Sequence, residues 1–260
     1  MLGTQYTHGS PCWIDLGSPD PAAAADFYGT ALGWEYRPAG GPETGGYGFF
    51  HQDGATVAAL GPLTEDGAHS AWTVYFRSTD AATTQMVTAA EGGRVRVRAM
   101  DVMDAGRMAA LTDPGGAEFA VWEAGSVRGL DRTSSPGTLV WVELHTSDPE
   151  AALGFYGSLF DWRSATMEAP GMTYRVVSTA GGDQETAAFG GVAELRGPGE
   201  RSRWIPYFEV ADIDATAEAV TGAGGTVLLP AADIPDVGRL AWFADPFGAE
   251  FAVLRPTPTG

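Results

Sequence analysis

Three observations predict an α+β fold made of four βαβββ units in two halves. The first is a long internal repeat. Residues 11–28, P-C-W-I-D-L-G-S-P-D-P-A-A-A-A-D-F-Y, match residues 139–156, L-V-W-V-E-L-H-T-S-D-P-E-A-A-L-G-F-Y. Trp, an acid, Leu, Asp-Pro and Phe-Tyr recur at identical spacing. The second is a matching end: D-A-G-R-M-A-A-L-T-D-P-G-G-A-E-F-A-V (104–121) faces D-V-G-R-L-A-W-F-A-D-P-F-G-A-E-F-A-V (236–253). The third is a fainter doubling inside each half, where W-T-V-Y-F-R-S-T-D (72–80) and W-I-P-Y-F-E-V-A-D (204–212) repeat the opening strand-then-Asp pattern.

Each unit justifies its elements in the same order. An alternating apolar segment ends in Asp20, Asp80, Asp148 or Asp212, and an alanine-rich stretch follows. Alternation marks a half-buried strand, and an Asp at its end caps a helix by accepting backbone N–H bonds. Gly92-Gly93 and Gly224-Gly225 supply the left-handed exit from two of the helices. Short strands separated by Gly and Pro turns complete each unit. The polar segment 125–138, G-S-V-R-G-L-D-R-T-S-S-P-G-T, reads as the linker between a first half, 1–124, and a second, 139–260.

Composition removes several chemistries. All 15 basic residues are arginine, so a side-chain Schiff base and a Walker-type phosphate lysine are excluded. The one cysteine, Cys12, allows no intrachain disulfide; next to Trp13 it reads as a buried apolar thiol facing away from any cavity. A net charge of −18 argues against nucleic acid and anionic membrane as partners. No apolar run is long enough to span a bilayer and no signal peptide is visible, so the expectation is a cytoplasmic protein.

The four units, D-P-x-A-A-x-x-F-Y near each start and D-P-x-G-A-E-F-A-V near each end, resemble the vicinal oxygen chelate superfamily of glyoxalases, bleomycin-resistance proteins and extradiol dioxygenases. The opening G-S-P-C-W-I-D-L and the late D-I-P-D-V-G-R-L are similar to the tandem glyoxalase-like proteins of actinobacteria, including the mycobacterial 27 kDa antigen type. The resemblance implies curved mixed sheets around cavities and, in catalytic members, a divalent metal held by His, Gln and Glu. Carried over residue by residue, the ligand positions fall on Trp13, Trp141, Thr73, Ile205, Ala120 and Ala252, with the remaining pair near Ala59 and Phe189. None bears a metal-binding side chain, so the expectation is no metal and no cofactor.

The same positions predict what lines the cavities. Side chains alternate along a strand, so Trp13, Asp15 and Gly17 share a face, as do Trp141, Glu143 and His145. Thr73, Tyr75 and Arg77, and Ile205, Tyr207 and Glu209, form the partner sets. Trp13, Asp15, Thr73, Tyr75, Trp141, Tyr174, Ile205 and Glu209 are the expected ligand-binding residues. Both indoles also fit a purely structural role on a concave sheet face. Asp15 and Glu143 could instead form buried ion pairs with the repeated Arg107 and Arg239 of D-x-G-R. His145 breaks the repeat, because Gly17 is its counterpart. With Glu143 and Tyr207 it is the candidate acid–base set, the alternative being a capping histidine at a strand end. His51 sits before a hairpin turn, and His8 and His69 lie in segments expected to be solvated. The stretches 40–48 and 167–174 read as loops over the two pockets, the second with Met167 and Met172 as adaptable walls and Tyr174 beside the ligand.

Three functions follow. The first is metal-independent binding of a small aromatic or cationic organic molecule, of the antibiotic-sequestration or self-resistance type. The second is a metal-free isomerase, lyase, cyclase or hydrolase of secondary metabolism. The third is a metal-dependent glyoxalase or dioxygenase. The tandem arrangement supplies internally what single-half relatives gain by dimerising, which favours a monomer and leaves a dimer open.

Overall fold

The computed structural model describes residues 2–65, 67–169, 172–183, 186–197 and 199–257. The βαβββ order occurs four times. The first unit is β1 (Pro11–Ser18), α1 (Pro21–Leu32), β2 (Glu35–Pro38), β3 (Gly48–Gln52) and β4 (Ala55–Pro62). The second is β5 (Ala71–Arg77), α2 (Ala81–Ala90), β6 (Arg94–Val102), β7 (Gly106–Thr112) and β8 (Glu118–Ala124). The third is β9 (Leu139–Thr146), α3 (Pro149–Phe160), β10 (Arg163–Ala169), β11 (Met172–Ser178) and β12 (Ala188–Glu194). The fourth is β13 (Arg203–Glu209), α4 (Ile213–Gly222), β14 (Thr226–Ile234), β15 (Gly238–Ala244) and β16 (Glu250–Pro256).

All four helices begin as the sequence predicts. Asp20, Asp80, Asp148 and Asp212 each accept a backbone N–H from the first turn, at 2.9–3.1 Å. Gly92 and Gly224 take the left-handed conformation after α2 and α4, with φ of 85° and 90°. The strands form two mixed eight-stranded sheets, ordered β2-β3-β4-β1-β5-β8-β7-β6 and β10-β11-β12-β9-β13-β16-β15-β14. In every unit the first and last strands pair parallel, and the neighbouring hairpins pair antiparallel. Among the described residues no helix is long and apolar enough to cross a membrane.

By backbone proximity the chain forms two compact units, and each takes one βαβββ module from each repeat. One comprises residues 1–13, 73–129 and 141–205; the other comprises residues 14–72, 130–140 and 206–260. The core of each is an aromatic cluster around a fully buried helix tyrosine. In the first, Tyr156 stacks on Trp162 at 4.9 Å and meets Trp204 and Phe119 edge-on. In the second, Tyr28 stacks on Trp34 at 5.7 Å and meets Trp72 edge-on at 5.2 Å.

These tyrosines explain the repeated motifs. Trp204 Nε1 donates to Tyr156 Oη at 2.9 Å, and that hydroxyl donates to Asp113 Oδ2 at 3.2 Å. In the other unit Trp72 Nε1 donates to Tyr28 Oη at 3.0 Å, which donates to Asp245 Oδ2 at 3.4 Å. The second oxygen of each carboxylate closes the D-P-x-G-A turn. Asp113 Oδ1 accepts from the Ala117 amide, and Asp245 Oδ1 accepts from Phe247 and Ala249. The turn glycines Gly116 and Gly248 sit at φ of 97° and 95°, where a side chain is strained. Thus Phe-Tyr of one repeat and Asp-Pro-x-Gly-Ala of the other form one buried, satisfied hydrogen-bond chain.

Tyr156→Phe should cost about 1–3 kcal/mol, because it strands the Trp204 N–H and a carboxylate oxygen in the core; a denaturant midpoint unchanged from wild type would refute this. A second expectation concerns pH. Burial is the main cause that raises the Asp113 carboxyl above its ordinary range. A raised folded pKa contributes stability that is present below the unfolded pKa and is lost as pH rises through the folded one. Wild type should therefore gain stability relative to Asp113→Asn as pH falls from neutrality toward 4. Denaturant titrations across that range would overturn the argument if the difference moved the other way.

Candidate functional site

Strand β9 carries the asymmetric chemistry. Trp141, Glu143 and His145 alternate along it, and parallel pairing sets Gly191 of β12 opposite Glu143 and Ala193 opposite His145. His145 is 2% exposed and Glu143 8%, whereas Trp141 and Tyr174 stay partly accessible. His145 Nε2 lies 2.6 Å from Glu143 Oε1. A carboxylate only accepts, so the imidazole donates its Nε2–H there. Tyr174 Oη donates to Glu143 Oε2 at 2.6 Å and accepts from Trp141 Nε1 at 3.0 Å. The chain of donation runs from Trp141 through Tyr174 to Glu143, which His145 meets from the other side. Burial first, and the adjacent Glu143 charge second, hold the Tyr174 phenol well above the ordinary tyrosine range. It therefore stays a donor at neutral pH and keeps Glu143 supplied with a hydrogen bond.

The first repeat holds a reduced version. Tyr47 Oη donates to Asp15 Oδ2 at 3.1 Å. The strand registers make Tyr47 the counterpart of Tyr174, since each lies two residues before the residue opposite Ala59 or Gly191. No imidazole follows Asp15. Position 17 is glycine, and a Cβ there would meet the Leu63 side chain at 3.1 Å.

Several expectations need correction. Tyr174 belongs to strand β11, so the stretch 167–174 is not a loop as a whole; Pro170 and Gly171 lie outside the described residues, as does the Met172 side chain. Tyr47 lies in the connection before β3, in keeping with a loop over 40–48, but its hydroxyl is anchored on Asp15. Its signal was the Tyr at the start of G-Y-G-F-F against T-Y-R-V-V, offset by one residue from the flanking repeat. Arg107 and Arg239 pair within their own βαβββ units instead of with Asp15 and Glu143: Arg107 with Asp101 of its hairpin at 3.7 Å, and Arg239 with Asp233 of its hairpin at 3.2 Å and Asp214 of α4 at 2.8 Å. Phe189 is not opposite Glu143. The parallel pairing of β12 with β9 gives that place to Gly191, and Phe189 packs on Trp162 at 5.0 Å. His8 is half-buried against α3, with Nε2 3.2 Å from the Leu159 carbonyl.

The remaining predicted residues fall as follows. Trp13, Tyr75 and Ile205 are buried, and Thr73 and Glu209 are half-buried. Burial raises the Glu209 carboxyl, and its backbone pairs with Gly137 and Thr138. Tyr207 is buried in the unit containing residues 206–260, edge-on to Trp242 at 6.2 Å. Cys12 is fully buried, with Sγ directed at the Tyr75 carbonyl at 3.5 Å, and burial pushes its thiol up.

The donor set does not fit the metal of catalytic superfamily members. Among the described residues, no three His, Cys, Asp or Glu side chains converge as a cation site. Glu143 and His145 meet, but they bond each other, and Tyr174 engages the second Glu143 oxygen. A zinc site takes at least three protein donors.

Comparison with known proteins agrees with the fold. A family model described as the Glyoxalase/Bleomycin resistance protein/Dioxygenase superfamily matches residues 12–121, and one described as Glyoxalase-like domain matches residues 141–254. The chain is 39% identical to "Putative glyoxylase CFP32" of Mycobacterium tuberculosis, over 98% of both chains. It is also 39% identical to "Anthracycline biosynthesis protein DnrV" of Streptomyces peucetius, over 97% of this chain and 95% of that one. Among solved structures it is similar in fold to the Mn(II)-bound glyoxalase from Novosphingobium aromaticivorans, with a TM-score of 0.64 at 15% identity, covering 96% of this chain and 84% of that one. A 4-hydroxymandelate synthase mutant from Streptomyces coelicolor gives 0.60 at 14% identity, covering 98% and 95%. With both repeats matched and relatives aligned end to end, the chain belongs to the glyoxalase/bleomycin resistance protein/dioxygenase superfamily.

Proposed function

We propose that the protein binds a small, flat aromatic molecule without a metal, as an antibiotic-sequestration or self-resistance protein does, and that Trp141 and Tyr174 form the contact surface in the second repeat. One observation carries the reading. The Trp141–Tyr174–Glu143–His145 chain buries its carboxylate, imidazole and phenol hydroxyl but leaves the Trp141 and Tyr174 side chains only half-buried. An accessible indole backed by a buried carboxylate suits stacking and cation–π contact. The name anthracycline biosynthesis protein, carried by two Streptomyces relatives, fits a flat aromatic ligand. The net charge of −18 favours cationic ligands and disfavours nucleic acid and anionic membranes. The reading places the protein in the cytoplasm, acting as a monomer.

A planar acridinium dye should quench tryptophan fluorescence saturably and be recovered unchanged. Trp141→Leu should weaken that binding by roughly two- to twelvefold, the equivalent of about 0.5–1.5 kcal/mol of aromatic contact. Chelator should leave affinity unchanged, and elemental analysis should find no divalent metal near one per chain. Stoichiometric metal, or an affinity indifferent to Trp141→Leu, would sink the proposal.

The 2.6 Å Glu143–His145 contact favours a second reading, a metal-free acid–base enzyme of secondary metabolism. A carboxylate that fixes the imidazole tautomer is the arrangement of a general base. Because His145 is buried, a neighbouring side chain would have to move before a substrate could reach it. On this reading His145→Ala lowers turnover by about 10²–10⁴-fold while chelator has no effect. Turnover undiminished in His145→Ala would remove it.

A further inference from the structure

The two repeats place glycine differently beneath their tyrosines. In the second, Gly191 stands opposite Glu143 and Ala193 opposite His145. In the first, Ala59 stands opposite Asp15 and Gly61 opposite Gly17. Glycine and alanine have exchanged places along the strand. Neither Gly61 nor Gly191 has a left-handed backbone, so conformation does not require glycine at either position. Space does. A Cβ on Gly191 would fall on the Tyr174 hydroxyl and ring, and the three nearest heavy atoms all belong to Tyr174. A Cβ on Gly61 would meet Tyr47 Cδ2 at 2.8 Å, and its nearest atoms all belong to Tyr47. In each repeat the phenol lies over the position that lacks a Cβ.

This difference tracks the imidazole. In the first repeat the phenol lies over Gly61, the residue paired with Gly17 in one cross-strand lane. In the second, the residue aligned with Gly17 is His145, so that lane receives an imidazole. The phenol there lies over the adjacent Glu143–Gly191 lane and makes the shorter bond, 2.6 Å against 3.1 Å.

We propose that Gly191 is the positioning residue of the β9 site: its missing Cβ admits the Tyr174 ring across β12, so that the hydroxyl meets Glu143 and the neighbouring lane is left to His145. The geometry stands alone, but its importance for ligand selection rests on the reading of Trp141 and Tyr174 as the contact surface.

The test is Gly191→Ala, with Gly157→Ala as control because a Cβ at Gly157 meets nothing within 4 Å. Displaced from Glu143, the Tyr174 phenol loses the burial and the adjacent charge that raise it. Phenolate absorbance should then show one more tyrosine titrating near the ordinary value of about 10 than in wild type or control. Gly191→Ala should also destabilise the protein when the ring is present and do so much less in a Tyr174→Ala background. This non-additivity is what a clash with that ring produces. An unchanged tyrosine titration, or equal destabilisation in both backgrounds, would overturn the proposal. If Gly191→Ala alone does not fold, the Gly191→Ala/Tyr174→Ala double variant should, and its failure to fold would count against the clash. Acridinium quenching separates the two claims. A shifted titration with unchanged dye affinity supports the positioning role and refutes the binding surface.

Discussion

The hydrogen bonds from Tyr28 to Asp245 and from Tyr156 to Asp113 are the constraint on which the architecture turns. Each joins a helix of one repeat to a turn of the other within a single aromatic core. A tyrosine hydroxyl taken out of water needs partners for its proton and its lone pair. Here both are met, by an indole N–H and a carboxylate oxygen. The carboxylate is in turn held by backbone amides of a turn that requires glycine at its fourth position. The D-P-x-G-A motif and the Phe-Tyr pair are thus one device seen from two ends. Their repetition reports packing rather than chemistry, which leaves chemistry to the positions where the repeats differ.

Those differences concentrate on β9 and its neighbours. Asp15 becomes Glu143, one methylene longer, and Gly17 becomes His145. The longer acid bonds two partners, whereas Asp15 bonds Tyr47 at the greater distance. A core that repeats faithfully can tolerate such divergence: Val142 and Leu144 of β9 stay fully buried while the opposite face carries Glu143 and His145.

Much of this was legible in the sequence, for identifiable reasons. Strand, Asp cap, helix and glycine exit are decided by neighbours a few residues apart, and every cap formed where the pattern put it. The pairing of Glu143 with His145 was legible because strand alternation places both on one face. The partner of each buried tyrosine was not, since Tyr28 could meet Asp113 or Asp245 with equal local plausibility and only chain closure chooses. The proposed Arg107 and Arg239 ion pairs failed for the opposite reason: an acid six residues away in the same hairpin and, for Arg239, one on the adjoining helix pair with the guanidinium first. Tyr47 was hidden because a glycine-rich run masked the strand edge, and because its alignment slips by one residue against the flanking repeat.

The 217 residues between Tyr28 and Asp245 have a consequence for synthesis on the ribosome. The first module emerges with an aromatic face whose hydrogen-bond acceptor is translated 217 residues later. Its unit cannot close until Asp245 has been made, while the intervening modules, with Asp113 and Tyr156 only 43 residues apart, can complete theirs earlier. Contact order therefore favours closure of the Tyr156–Asp113 core before the Tyr28–Asp245 core during synthesis. The same arrangement ties the duplicated segments together in evolution: neither copy retains a finished core if the other is lost.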